Sequence, residues 1–291
     1  MSKSFLRALG LVAVLFLQSL CLADLQVQTY QPNRQDRFYV GADKAFLGAA
    51  FDWSGVGQVG GGTWATMVSP TYFVSAAHSP PGGGNTLTFY EGNDTSKWHT
   101  YTVASWSFQT SYAGLPSDLW LGRLTTPIPT ADHITYYPVP DLPSFGDYLG
   151  LMIYVNGKPT RVGRNLIDRI RVANEPDPPG TPTKSTMSME FDYSAIGGLG
   201  ADECYLIGGD SGGASFVDVG GRLALVGTHY YNGGTPGAGY FGDISGDSFV
   251  PYYIGQLNAN MVGESITVIV PEPASLALVL LGGLALLRRR K

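Results

Sequence analysis

The run Gly208-Gly209-Asp210-Ser211-Gly212-Gly213 sets one hydroxyl in backbone too rich in glycine to be regular structure. Glycines on both sides let the chain turn sharply and approach a ligand with no Cβ in the way, as an attacking serine with amide donors beside it requires. The same composition makes a tight surface turn, so the loop gains chemical meaning only from partners elsewhere. A serine hydroxyl is a poor nucleophile at neutral pH; it needs a base, and the base needs a group to orient it. Of the 4 histidines, His78 closes Tyr72-Phe73-Val74-Ser75-Ala76-Ala77-His78, an apolar strand running into two alanines whose small side chains let an imidazole ride on close-packed backbone. His99, beside Trp98 in a polar turn, and His133, after Ala131-Asp132, read as surface residues, and His229 ends another apolar strand. Asp118, in Pro116-Ser117-Asp118-Leu119-Trp120-Leu121, precedes a strand that should be buried, where an acid is costly unless something hydrogen-bonds it. Ser211, His78 and Asp118 are thus the candidate nucleophile, base and orienting carboxylate.

The elements that must position these side chains are short strands. Residues 24–41 are polar and irregular, and 59–63 form a glycine turn. Apolar runs punctuated by Gly and Pro predict strands at 64–68, 72–76, 86–90, 100–106, 119–124 and 149–155, then at 214–219, 223–229 and 239–244. Residues 174–183, with Pro176, Pro178, Pro179 and Pro182, predict an exposed connection, and 250–261 the single helix. Regular short strands with turn signals and no repeat of fixed period predict an all-β barrel or sandwich.

The three chemical motifs together resemble the trypsin-like (chymotrypsin-fold) serine proteases. Val74-Ser75-Ala76-Ala77-His78 looks like that family's histidine motif, Ser117-Asp118-Leu119-Trp120-Leu121 like its aspartate motif and Gly209-Asp210-Ser211-Gly212-Gly213 like its serine motif, in the order His, Asp, Ser. Tyr252-Tyr253-Ile254-Gly255-Gln256-Leu257 resembles its closing helix. The resemblance implies two six-stranded antiparallel β-barrels with a short C-terminal helix, over a domain at 24–257. It also implies that Ser211 attacks a scissile carbonyl, that His78 relays its proton, and that Asp118 fixes the imidazole. The amides of Gly209 and Ser211 would be the oxyanion hole, and residues 225–232, with Tyr230 and Tyr231, the strand that pairs with an extended polypeptide substrate. The primary pocket falls near Tyr205, where no acid stands, so cleavage after Lys or Arg is not implied. His229, in Gly227-Thr228-His229-Tyr230, resembles the pocket histidine of glutamyl endopeptidases; a core histidine at a strand end is the other reading. The family's zymogen start is absent, Arg37-Phe38-Tyr39-Val40-Gly41 being the nearest segment, which leaves open what holds Asp210.

Two other functions compete. The serine motif also fits the G-x-S-x-G of esterases, but that fold needs a helix directly after the serine and its acid and histidine downstream. A matrix or adhesion protein that keeps the fold and cleaves little is the second.

Both ends read as targeting segments. Lys3 and Arg7, the apolar run 9–17 and Cys21-Leu22-Ala23 predict a signal peptide over 1–23. Val270-Pro271-Glu272-Pro273, a short apolar run and Arg288-Arg289-Arg290-Lys291 resemble the PEP-CTERM sorting tail of Gram-negative bacteria, over 270–291 after a spacer at 258–269. That resemblance implies export, transient membrane association through a C-terminal transmembrane helix, an exosortase-type processing partner and release to the cell envelope or matrix. A weak membrane anchor is the alternative, although the run is shorter than the about 20 residues of a full span.

Without these ends the chain holds 12 basic and 22 acidic residues, which argues against a nucleic-acid partner. Lys158, Arg161, Arg164, Arg169 and Arg171 crowd together, as a solvated strand face or a patch for an anionic polymer. Only Cys204 remains, so burial rather than an internal disulfide must stabilise the domain. Asp192, Asp202 and Glu203 are better read as solvated acids than as a calcium site, and no cofactor signature occurs.

Overall fold

The computed structural model describes residues 24–60, 62–175, 183–194, 198–233 and 244–270. The expected signal peptide, the sorting tail beyond Val270, most of the Pro-rich connection and most of the strand expected at 239–244 lie outside these residues.

Six strands close into a barrel: β1 (Val56–Val59), β2 (Thr63–Met67), β3 (Tyr72–Ala76), β4 (Thr86–Tyr90), β5 (Trp98–Tyr112) and β6 (Leu115–Leu124), in the order β1-β2-β3-β6-β5-β4. Its interior holds Met67, Phe73, Leu87, Phe89, Val103 and Leu124. Gly122 makes this filling possible: a Cβ there would sit 2.3 Å from the Phe73 ring. Every residue of β3 is buried, which follows from its unbroken apolar and small composition.

The second unit is a seven-stranded antiparallel sheet: β7 (Met152–Gly157), β8 (Arg161–Leu166), β9 (Arg169–Glu175), β10 (Lys184–Asp192), β11 (Ala214–Val219), β12 (Arg222–Gly233) and β13 (Ile244–Phe249). The spatial order is β8-β7-β11-β12-β13-β10-β9. Its two edge strands, β8 and β9, are consecutive in the chain, separated only by Ile167 and Asp168. Helix α1 (Val250–Asn260) follows β13 directly and buries Val250, Tyr253 and Leu257, spaced for one helical face. Tyr253 Oη accepts the Met187 amide of β10 at 2.8 Å. Beyond the helix, Val268–Ile269 lies parallel to Val139–Pro140, between the two units. The molecule is therefore all-β with little helix, as the strand pattern predicts. One closed six-stranded barrel is present, and the place of the expected second barrel is taken by the seven-stranded sheet. No helix among the described residues is long and apolar enough to cross a membrane.

Two sequence readings change. The segment read as irregular at 24–41 is anchored: Gln26–Val27 pairs with Cys204–Tyr205, and Leu25 is fully buried. Arg37 is buried as well, donating to the carbonyls of Tyr90 (3.1 Å) and Gly92 (2.8 Å), and burial pushes its guanidinium down to about 10. The cationic cluster is a partly solvated face, since the Arg169 and Arg171 side chains are 48% and 55% exposed, but acids distant in sequence meet its arginines. Arg161 pairs with Asp24 and Asp36, Arg164 with Asp202, and Arg169 and Arg171 with Glu190. Asp202 is accordingly buried rather than solvated, its carboxylate shared with Arg34.

Candidate active site

His78 sits two residues past the end of β3, where Ala76 and Ala77 carry the backbone against β6 and Ala77 N donates to Asp118 O at 2.7 Å. Asp118 lies inside β6, which begins at Leu115, four residues earlier than its apolar run at 119–124 suggests. Its carboxylate accepts twice from His78: Oδ1 from the main-chain N–H at 3.0 Å and Oδ2 from Nδ1 at 2.8 Å. The second unit reaches across as well, since the Asp118 amide donates to Thr186 Oγ1 of β10 at 2.9 Å. Burial pushes the Asp118 carboxyl above the usual carboxylate range, and the hydrogen bonds and charge of His78 oppose that rise. With Nδ1–H committed to Asp118, Nε2 is the ring's acceptor, and it lies 2.8 Å from Ser211 Oγ. The three residues singled out by type and spacing therefore form one hydrogen-bonded line.

Glycines bring the serine there. Gly212 has φ +80°, and a Cβ on it would stand 2.5 Å from Ser75 Oγ and 3.2 Å from Ala76 N, so the loop touches the strand end that bears His78. Gly209 has φ +103°, also glycine territory. Among the described residues no acceptor takes the amide of Gly209 or of Ser211, whereas those of Asp210, Gly212 and Gly213 are bonded internally. Two neighbouring free donors beside a nucleophile are what an oxyanion would need. Asp210 is held by the main chain: Oδ1 accepts Lys158 N at 2.7 Å and Oδ2 accepts Ile207 N at 2.9 Å. Burial pushes its carboxyl up, and these two amides with the nearby His229 act against that.

A cleft of about 60 Å³ opens beside Ser211, walled by Leu206, Ile207, His229, Tyr230, Tyr231 and Asn232. Tyr230 lies 6.1 Å from the His78 ring, and Tyr231 donates its hydroxyl to the buried Glu190 carboxylate. Tyr205 stands apart, paired with Gln26 and packed on Tyr193 at 4.8 Å. The pocket wall begins one residue later, at Leu206, because successive side chains of an extended segment point to opposite faces, and that of Tyr205 packs on Tyr193. His229 is 1% exposed, with Nδ1 2.8 Å from Asp247 and Nε2 2.9 Å from the Asn156 carbonyl, so neither nitrogen is left to hold a substrate carboxylate. The core reading of that histidine is the one the structure supports. Sequence reasoning missed Asp247. The signal was present, an acid in the small and apolar stretch Ile244-Ser245-Gly246-Asp247-Ser248-Phe249, the same cue that singled out Asp118.

Among the described residues no group of three or more His, Cys, Asp or Glu converges as a metal cage. No protein-family model and no curated protein matches the chain, so the residues and their geometry carry the functional reading.

Proposed function

We propose that this chain is an exported serine endopeptidase of the trypsin-like kind, hydrolysing peptide bonds through an acyl-enzyme on Ser211. The observation that carries the proposal is the continuous line Asp118–His78–Ser211, with both contacts at 2.8 Å. In this reading His78 Nε2 takes the Ser211 proton as Oγ attacks the carbonyl, then delivers it to the leaving amine; water repeats the cycle to release the acid. Asp118 holds the ring in the tautomer that accepts and stabilises its charged form. The Gly209 and Ser211 amides take the oxyanion, each contributing about 3 kcal/mol. An extended substrate would lie along β12, its side chain before the scissile bond in the cleft walled by Leu206 and Tyr231.

The fold is consistent with this reading. β8 and β9 are separated by two residues and lie at the two edges of one sheet, the kind of short edge-to-edge passage that the second barrel of a trypsin-like protease would need in order to close. The sequence ends add the address: a signal peptide for export and a PEP-CTERM-like tail for handling by an exosortase at the envelope.

The test is labelling of the purified chain by a fluorophosphonate probe, with Ser211→Ala as control. Labelling of the parent and none of the variant, together with cleavage of unfolded polypeptide, is the expected result. A correctly folded parent that does not label is instead an adhesion or matrix protein built on this scaffold.

A further inference from the structure

Behind the Ser211 loop stands a second Asp–His pair that the reaction does not use. His229 and Asp247 are 1% and 0% exposed. His229 Nε2 meets the main-chain carbonyl of Asn156, which can only accept, so this nitrogen carries a proton. Nδ1 meets Asp247 Oδ1, and Asp247 Oδ2 has no hydrogen-bond partner among the described residues, leaving the ring as that carboxyl's sole polar contact. Close packing enforces the contact from behind, since a Cβ on Gly227 would stand 2.4 Å from Asp247 Oδ2.

The same histidine clasps the nucleophile loop. Gly212 N donates to His229 O at 2.9 Å and His229 N donates to Gly213 O at 2.8 Å, so two main-chain bonds grip the residues following Ser211. The ring edge lies on Gly213, where a Cβ would be 2.6 Å from His229 Cδ2. Asp210, the residue before the nucleophile, is the second carboxyl near the ring.

We infer that His229 is a positioning residue, held as an imidazolium between Asp247 and the Asn156 carbonyl, and that this buried cation keeps the Ser211 loop in register with His78. The inference rests on the endopeptidase reading and adds a requirement to it. The groups facing the ring are Asp247 from β13 and Asp210 from the loop; Asp24 of the N-terminal segment and the buried Cys204 thiol stand near those carboxyls. Burial draws the ring toward its neutral form, and the two carboxyls more than offset this, so its proton is bound more tightly than in an ordinary histidine. Removing the proton leaves Asp247 and Asp210 buried together without a cation. Asp210 then relaxes, and its bonds to Ile207 and Lys158, which shape the turn, relax with it.

The two histidines must therefore be in opposite states. His78 works as a neutral base, and His229 supports as a cation. The charge on His229 is present at low pH and lost as pH rises through its raised value, which places an alkaline limb on the reaction beside the acid limb of His78.

Two measurements on the full chain test this. In ¹⁵N-histidine spectra of the wild type at neutral pH, His229 should show protons on both ring nitrogens; a singly protonated ring overturns the inference whether or not the chain reacts with any probe. The second is the pH profile of fluorophosphonate labelling for wild type and Asp247→Asn. Removing the anion should bring the alkaline limb down by about one pH unit or more while the acid limb stays. At alkaline pH this is a loss of at least about tenfold. Addition of His229→Gln should then change little, because both variants disable one pair. A loss spread evenly over all pH values marks a merely structural role and overturns the inference. A wild type that never labels overturns the endopeptidase reading itself, a distinct result from either of these.

Discussion

Replacing Asp118 by Asn tests the site at its most constrained point. The carboxylate faces two N–H donors of one residue, the His78 main chain at 3.0 Å and Nδ1 at 2.8 Å. An amide offers one oxygen and one NH₂ in the same shape. The oxygen keeps the main-chain donor, and the NH₂ then confronts Nδ1. The ring relieves that clash by moving its proton, so that Nδ1 accepts and Nε2–H points at Ser211 Oγ, leaving the hydroxyl without a base. The reversal is worth about 10⁴ in kcat, or about 5.4 kcal/mol of transition-state stabilisation. The fold should hardly respond. Burial already holds the Asp118 carboxyl above the usual range, so removing its charge relieves a desolvation cost while forfeiting the ion pair. We expect a shift in Tm of no more than about 4 °C, the equivalent of about 1 kcal/mol in a domain of this size. Peptide hydrolysis should show kcat collapsed and KM within about threefold, with thermal unfolding measured on the same samples. A folded variant that keeps kcat within about tenfold of the parent would refute the assignment of base and orienting acid.

Two further outcomes follow from the geometry. Gly212→Ala forces a Cβ to within 2.5 Å of Ser75 Oγ at φ +80°; pushing the loop off the His78 strand should slow fluorophosphonate labelling by at least about 10²-fold, with unfolding at a lower temperature. Asp202 is raised by burial but held lower overall by Arg34 and Arg164. A depressed carboxyl stabilises the fold above its unfolded value near about 3.9, and that contribution fades as pH falls through the folded value. Asp202→Asn should therefore cost about 3 kcal/mol at pH 6 in urea unfolding, with the gap from wild type closing below about pH 4; a gap independent of pH would count against the ion pair.

Local pattern carried most of the strand assignment in the first barrel. β3 and β4 fall at residues 72–76 and 86–90 as expected, since unbroken burial and strict alternation each leave a clear mark. The second unit was less legible. Ile170 and Val172 in β9 and Met187, Met189 and Phe191 in β10 do alternate with polar residues, but those residues are Arg, Ser, Thr and Glu, and β8 shows no such period, so composition masks the strands. The Asp118, His78 and Ser211 positions were readable because a buried acid, a strand-end histidine and a glycine-framed serine are each locally unusual. The cleft was not. Leu206, Ile207 and Asn232 are unremarkable as residue types, and which neighbour turns away is settled only by contacts such as that of Tyr205 on Tyr193. The distinction between a pocket histidine and a core one likewise depends on Asp247 and Asn156, far off in sequence, reaching both ring nitrogens.

The hydrogen-bonded line draws its base and acid from the first barrel and its serine from the second unit, 93 residues further along the chain from Asp118 to Ser211. A chain emerging from the N-terminus can complete β1–β6 while the serine has yet to be made, and the first barrel alone holds an aligned His78 with nothing to activate. On the endopeptidase reading, destructive chemistry is thus deferred until the whole domain has emerged and its halves have met. On that reading a polypeptide that arrests midway through synthesis would be harmless to its neighbours, a safeguard written into the order of the elements.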